Sequence, residues 1–355
     1  MAFAAETRPR TIAGLTGLRG VAALWVVLFH MAGANSDIPI IQSGALGVDV
    51  FFILSGFVLA YVYADKLRPT DLMGFLSFLR ARIARIYPLH VVMLGVIGLS
   101  VLALPGFASG QTLAHQRFGF GALIASLLLI QNWFYWLPTS WNAPAWSLSA
   151  EWFAYLAFPI MLSLTQRWRT ISTPLLLAAA SLATLIALLR WKGVQHPDVA
   201  GVPGMLRMVF EVACGCLLFR ARANGLRPLP WLADAGAMLL LAVALLWNRM
   251  IFLSLPAMAC VVVLAAQNAG WVAGVLARRP VVFLGEISFS LYMVHWTILH
   301  LASWVIAGAQ PANLKLALLN TALFAVIVGT SVLTHRLIEL PARAWGRRIG
   351  RAPHG

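Results

Sequence analysis

Residues 14–34 read GLTGLRGVAALWVVLFHMAGA, a run in which Arg19 and His30 are the only ionisable side chains. A helix needs about 20 such residues to cross the hydrocarbon core of a bilayer. Soluble core helices are rarely this long or this uniformly apolar, and here the pattern recurs along the whole chain. Further runs fall near 44–63, 86–105, 171–190, 203–219, 231–248, 250–267, 281–302 and 314–334. The 355 residues are 61% hydrophobic and only 10% charged, where a soluble chain carries about 25% charged residues. The fold class that follows is all-α: a polytopic transmembrane helical protein of about ten spans plus one re-entrant or interfacial segment.

The uncertain stretch is 119–166, two apolar runs separated by Pro138-Thr139-Ser140-Trp141-Asn142-Ala143-Pro144. Charge decides how often it crosses. With one net crossing, nineteen Lys and Arg residues lie on the cytoplasmic side and only Arg117, Arg190, Lys192, Arg249 and Lys315 lie outside. That asymmetry is the positive-inside pattern, with both termini cytoplasmic. Two full crossings put the later arginine clusters outside, so one of the two runs is expected not to span. Trp133, Trp136, Trp141, Trp146 and Trp152 mark the same stretch as an interfacial belt or as the roof of a cavity.

The net charge of +15 is spread between apolar runs rather than gathered in a block, so nucleic acid is not implied. Cys214, Cys216 and Cys260 all sit inside apolar runs and offer neither a disulfide framework nor metal-ligand spacing. The basic N-terminus before Val21–Ala34 resembles a signal peptide, but the next span follows almost at once, which favours a retained first helix.

Ionisable groups inside spans are costly and persist only with a partner or a use. Here they are Arg19, His30, Asp49, Glu151, Glu211, Glu286 and His295. Arg19 and His30 are 11 residues apart, so they share a helix face and differ by about 16 Å in height. Snorkelling explains Arg19 alone and core packing explains His30 alone; together they mark the two ends of one cavity. Asp49, at the start of the second span, is expected level with His30, where a carboxylate would fix the imidazole tautomer. Arg80, Arg82 and Arg85 precede the third span. Anchoring accounts for them, and the Arg82/Arg85 spacing also suits a phosphate. Glu151 lies in the aromatic sequence Trp146-Ser147-Leu148-Ser149-Ala150-Glu151-Trp152. The segment Gly285 to His295 places Glu286 low and His295 high.

These residues resemble the acyltransferase-3 family of bacterial membrane O-acyltransferases over nearly the whole chain. The resemblance rests on four features. They are Gly17-Leu18-Arg19-Gly20 with His30 downstream, Gly47-Val48-Asp49-Val50-Phe51-Phe52 continuing to Phe57, the Arg82-x-x-Arg85-Ile86-Tyr87-Pro88 loop, and Trp146 to Glu151 followed later by Gly285 to His295. It implies acyl transfer from cytoplasmic acyl-CoA, often acetyl-CoA, to a hydroxyl on the outer side of a bacterial cytoplasmic membrane. Acyl-CoA is then a donor substrate, no cofactor or metal is bound permanently, and the acceptor is a carbohydrate or glycoconjugate. The resemblance also implies that His30 is the catalytic histidine, that Arg19, Arg82 and Arg85 serve the donor, and that Glu151 is a further site residue. Residues 1–13 are then a cytoplasmic tail, 14–335 the transmembrane acyltransferase domain and 336–355 a basic cytoplasmic tail, with no esterase domain of the SGNH type expected after it.

The mechanism expected from depth binds CoA phosphates at Arg82, Arg85 and Arg19, and threads the pantetheine arm towards His30. His30 removes the hydroxyl proton while Asp49 or Glu151 orients it. A covalent acyl intermediate on His30 or a nearby serine remains an open alternative. A transporter or flippase for a glycan or small anion also keeps buried charges, but such proteins tend to show internal repeats and paired broken helices. Only one broken region is legible here.

Overall fold

The computed structural model describes residues 11–32, 37–107, 117–134, 141–196, 200–227, 230–267, 269–306 and 313–349. Trp136, the Pro138–Ser140 part of the link and the far ends of both tails lie outside these. Every regular element among the described residues is helical; besides short segments at Pro39–Gln42, Ser43–Leu46, Asn248–Leu253 and His335–Glu339, these are α1 (Ala13–Ala32), α2 (Gly47–Tyr63), α3 (Leu72–Ala103), α4 (Phe120–Leu127), α5 (Ala145–Gln166), α6 (Ser172–Trp191), α7 (Val202–Ala223), α8 (Pro230–Leu246), α9 (Ser254–Ala265), α10 (Trp271–Leu276), α11 (Arg279–Glu286), α12 (Ser288–Val305), α13 (Asn313–Thr334) and α14 (Leu340–Ile349).

Among the described residues, seven helical stretches are long and apolar enough to cross a bilayer. An eighth results if α11 and α12, bent by 64° at one break, count as one span; α8 and α9 are shorter apolar helices. Among the described residues of 119–166, only α5 has a spanning length. The eight residues of α4 rise about 12 Å, well short of a ~30 Å core. Its end is a left-handed cap: Leu129 has φ 57°, and the Ile130 N–H bonds back to the Ala125 carbonyl at 2.9 Å. The non-helical chain beyond it is tolerated at depth because protein groups take up its polar atoms. Gln131 Nε2 donates to Ala145 O, Ser149 Oγ accepts from the Asn132 N–H, and Asn132 Oδ1 accepts from the Gly201 N–H.

One sequence boundary moves. The third span was expected to begin near 86, with the arginines in a loop before it. Instead α3 starts at Leu72, where the Asp71 side chain accepts from the Gly74 N–H at 2.8 Å, and it runs unbroken through Pro88 to Ala103. Its 32 residues measure about 48 Å, longer than the hydrocarbon core, so the arginines ride on the rigid extension of a span. Polar residues lower hydropathy without ending a helix, and hydropathy alone therefore placed the start too late.

Glycine explains how α1 enters the bundle. A Cβ on Gly17 would stand 1.9 Å from Leu276 O, and one on Gly20 would stand 2.4 Å from the Gly285 nitrogen. On the facing side, a Cβ on Gly285 would stand 1.9 Å from Thr16 O. Backbones therefore touch where α1 crosses α10 and α11, as small residues permit in membranes. The Arg19 between these glycines is carried into the protein.

Candidate active site

The α1–α11 contact fixes Arg19 directly: Nε donates to Ser288 Oγ at 3.0 Å and Nη2 to Gly285 O at 3.0 Å. From there the guanidinium lines a cavity of about 310 Å³ shared with Arg82, Arg85, Glu151, Tyr155 and Arg343. Arg82 lies about 6 Å from the ring centres of Tyr63, Phe78 and Tyr155, an aromatic setting that holds a cation without neutralising it. Its Nε is buried without a hydrogen-bond partner. Among the described residues, no carboxylate comes within ion-pair distance of Arg19, Arg82 or Arg85. Unneutralised guanidiniums in a cleft attract a multiply charged oxyanion.

Glu151 belongs to this cavity. Its Oε1 accepts from Ser55 Oγ at 2.9 Å and from Tyr155 Oη at 2.5 Å. Four of the sequence-identified residues (Arg19, Arg82, Arg85 and Glu151) therefore share one wall-to-wall site.

His30 lies at the other end of α1, about 16 Å higher by helical rise. Its neighbour is His295 of α12, with His295 Nε2 3.3 Å from His30 Nδ1. Each Nδ1 also faces a carbonyl of its own helix, Val26 O at 2.9 Å for His30 and Leu291 O at 3.2 Å for His295. Carbonyls only accept, so in the neutral rings both Nδ1 atoms carry the proton. The His30 Nδ1–H goes to Val26 O, with His295 Nε2 a longer second acceptor at 3.3 Å, and the lone pair of His30 falls on Nε2. That is the tautomer a general base requires. The Arg cavity and the histidine pair are separated by Phe51 and Tyr292, which line the cavity with ring centres 5.7 Å apart. The Tyr292 ring lies 5.8 Å from His295, and its hydroxyl donates to Pro144 O at 2.9 Å with Ser147 Oγ 2.7 Å away.

Asp49 was expected beside His30. The structure instead gives both its oxygens to Arg207 of α7, Oδ1 to Nε at 2.9 Å and Oδ2 to Nη2 at 2.8 Å. Both side chains are fully buried, and Glu211, also fully buried, adjoins Asp49. The Arg207 guanidinium stacks 5.5 Å over the Trp146 ring. The imidazole partner is thus His295 rather than a carboxylate. The sequence marks His295 only as an intramembrane histidine and singles out neither Arg207 nor Arg343; no local spacing links Arg207 to Asp49, whereas Arg343 and Glu339 are four residues apart on one helix face.

Fold and site together define a polytopic helical membrane protein with an arginine-lined cavity at one end of its first helix and a histidine pair at the other. The family model described as an acyltransferase domain, of the acyltransferase-3 type, matches residues 12–336, and the chain belongs to that family. Acyltransferase MdmB of Streptomyces mycarofaciens is 30% identical over 94% of this chain and 92% of its own length. O-acetyltransferase OatA of Staphylococcus aureus (strain NCTC 8325 / PS 47) is 24% identical over 95% of this chain. A putative O-acetyltransferase of Staphylococcus aureus (strain COL) is 22% identical over 97%. The chain spans only 58% and 59% of those two proteins. No solved structure matches.

Proposed function

We propose that the protein moves an acyl group, in the first instance acetyl, from cytoplasmic acyl-CoA to a hydroxyl of an outer-side carbohydrate or glycoconjugate. The observation that carries this reading is the pair of sites at opposite ends of α1: unneutralised arginines below, a histidine with a defined basic nitrogen above. The family and its O-acetyltransferase relatives support acyl transfer to oxygen. Basic residues concentrated on the arginine side support the cytoplasm there, in a bacterial inner membrane with both termini inside.

In this reading Arg19, Arg82 and Arg85 bind the CoA phosphates. The pantetheine arm crosses the Phe51–Tyr292 partition and presents its thioester to His30. His30 Nε2 takes the proton from the acceptor hydroxyl as that oxygen attacks the thioester carbonyl carbon. The C–S bond breaks, the leaving thiolate takes the proton back from the imidazolium, and the ester departs. The Val26 carbonyl sets the His30 tautomer, and His295 is a positioning residue that holds the ring in place. Glu151, tied to Ser55 and Tyr155, offsets the cavity's positive charge, and Asp49 holds the framework through Arg207.

The test is a comparison of surface glycans from cells with the gene, without it, and with a His30→Ala copy, measuring base-labile ester groups. Ester groups should disappear in the second and third. A folded His30→Ala protein that leaves them unchanged overturns the assignment. Quenching wild-type protein after exposure to labelled acetyl-CoA should leave no label on protein, whereas a covalent intermediate leaves it there.

A further inference from the structure

The arginine cavity has a fourth guanidinium, and it comes from outside the family match. Arg343 of α14 lines the cavity with Arg19, Arg82 and Arg85, although the match ends at residue 336. Two contacts bring it there. The first is glycine packing. A Cβ on Gly346, one turn beyond Arg343, would stand 2.4 Å from Ala84 Cβ. Ala84 lies between Arg82 and Arg85, so α14 is seated against the very turn of α3 that carries both arginines.

The second contact is Glu339, at the end of the π-helical turn His335–Glu339 that leads into α14. π-turns insert an extra residue and recur at functional sites. The Glu339 carboxylate is only 2% exposed and accepts from Ser290 Oγ at 3.1 Å and His335 Nδ1 at 2.9 Å. Arg343 Nη1 stands 3.1 Å from its other oxygen. The carboxylate is anchored to α12 and to its own turn, and it holds Arg343 in place. Arg343 stays 25% exposed, and since Glu339 Oε1 takes no hydrogen bond from it, the contact is an ion pair that leaves its N–H donors available to a ligand.

We propose that Arg343, positioned by Glu339, is a phosphate-binding residue of the donor site. This rests on the acyl-CoA reading of the cavity and adds to it. Acyl-CoA carries a diphosphate and a separate ribose phosphate. A pair of arginines on one turn matches one of these groups, whereas guanidiniums from α1, α3 and α14 match both. A helix from the C-terminal segment thereby becomes part of donor recognition.

The experiment uses the full chain in nanodiscs, titrated with acetyl-CoA by calorimetry without acceptor. Arg343→Gln is expected to weaken binding about ten- to a hundredfold, Glu339→Gln several-fold, and the exposed Arg348→Gln not at all. A 3′-dephospho form of acetyl-CoA shows which phosphate is read: the Arg343→Gln penalty vanishes if it is the ribose phosphate and persists if it is the diphosphate, and either result supports contact. Equal affinity of Arg343→Gln and wild type for acetyl-CoA overturns this inference and leaves the acyl-CoA reading standing. Failure of the wild type to bind acetyl-CoA overturns both. If Arg343→Gln does not fold, wild-type protein decides it: acetyl-CoA should shield Arg343 from a dicarbonyl reagent, read by mass spectrometry. Unchanged modification overturns the inference.

Discussion

Arg207→Met separates a framework role for Asp49 from a chemical one. The wild-type pair makes two short charge-assisted hydrogen bonds, 2.9 and 2.8 Å, between side chains with no exposed surface. Each such bond contributes about 1.5–3 kcal/mol. Removing one partner of a buried pair costs about 3–5 kcal/mol, because the other charge is left without compensation. Glu211 in the same buried cluster makes matters worse, since loss of the guanidinium leaves two adjoining carboxyl groups and no cation. Methionine keeps much of the arginine's length and apolar bulk, so a cavity contributes little. We expect Arg207→Met to lose about 3–5 kcal/mol, measured by SDS-induced unfolding in mixed micelles, and Asp49→Asn to lose a comparable amount. The double variant Asp49→Leu/Arg207→Met removes both charges and should lie within about 1–2 kcal/mol of wild type. Its turnover is the second readout, and near-normal activity assigns Asp49 to the framework. Single variants as stable as wild type, or a folded double variant without activity, refute that reasoning.

Three further outcomes follow from the site. His30→Ala should lower turnover by roughly 10²–10⁴-fold without unfolding the protein, checked by thiol release from acetyl-CoA alongside a thermal melt. His295→Phe keeps a ring against His30 but removes the longer, second contact of its Nδ1–H while Val26 O remains, so a smaller loss of about tenfold is expected in turnover with the donor KM unchanged. Arg82→Gln and Arg85→Gln should each weaken acetyl-CoA binding about ten- to a hundredfold, measured by calorimetry; unchanged affinity in both would remove the cavity from the donor site.

The spans were legible because burial in lipid imposes one rule on every residue of a helix, and that rule shows in composition over about 20 positions. The length of α3 was not, because an N-cap at Asp71 and helix-compatible arginines extend it past the apolar run without any hydropathy signal. Residue pairings divide the same way. The Arg19–His30 alignment is local to one helix and follows from its pitch. The partners of those residues come from sequence-distant helices: Ser288 for Arg19, His295 for His30, and Arg207 for Asp49.

Residues 14–34 show this division in one helix. By itself the sequence determined that the run spans a membrane, which face carries Arg19 and His30, and how far apart they stand. All three follow from the hydrophobic effect and from helical pitch, which act within the segment. Only the tertiary structure decided that Arg19 joins Arg82, Arg85, Glu151 and Arg343 around one cavity, and that His30 meets a second histidine instead of a carboxylate. Those contacts depend on how closely helices approach. Backbone-to-backbone packing at Gly17, Gly20 and Gly285, and the seat of Gly346 on the Ala84 Cβ, set that distance, and a glycine's partner is written in a different part of the chain.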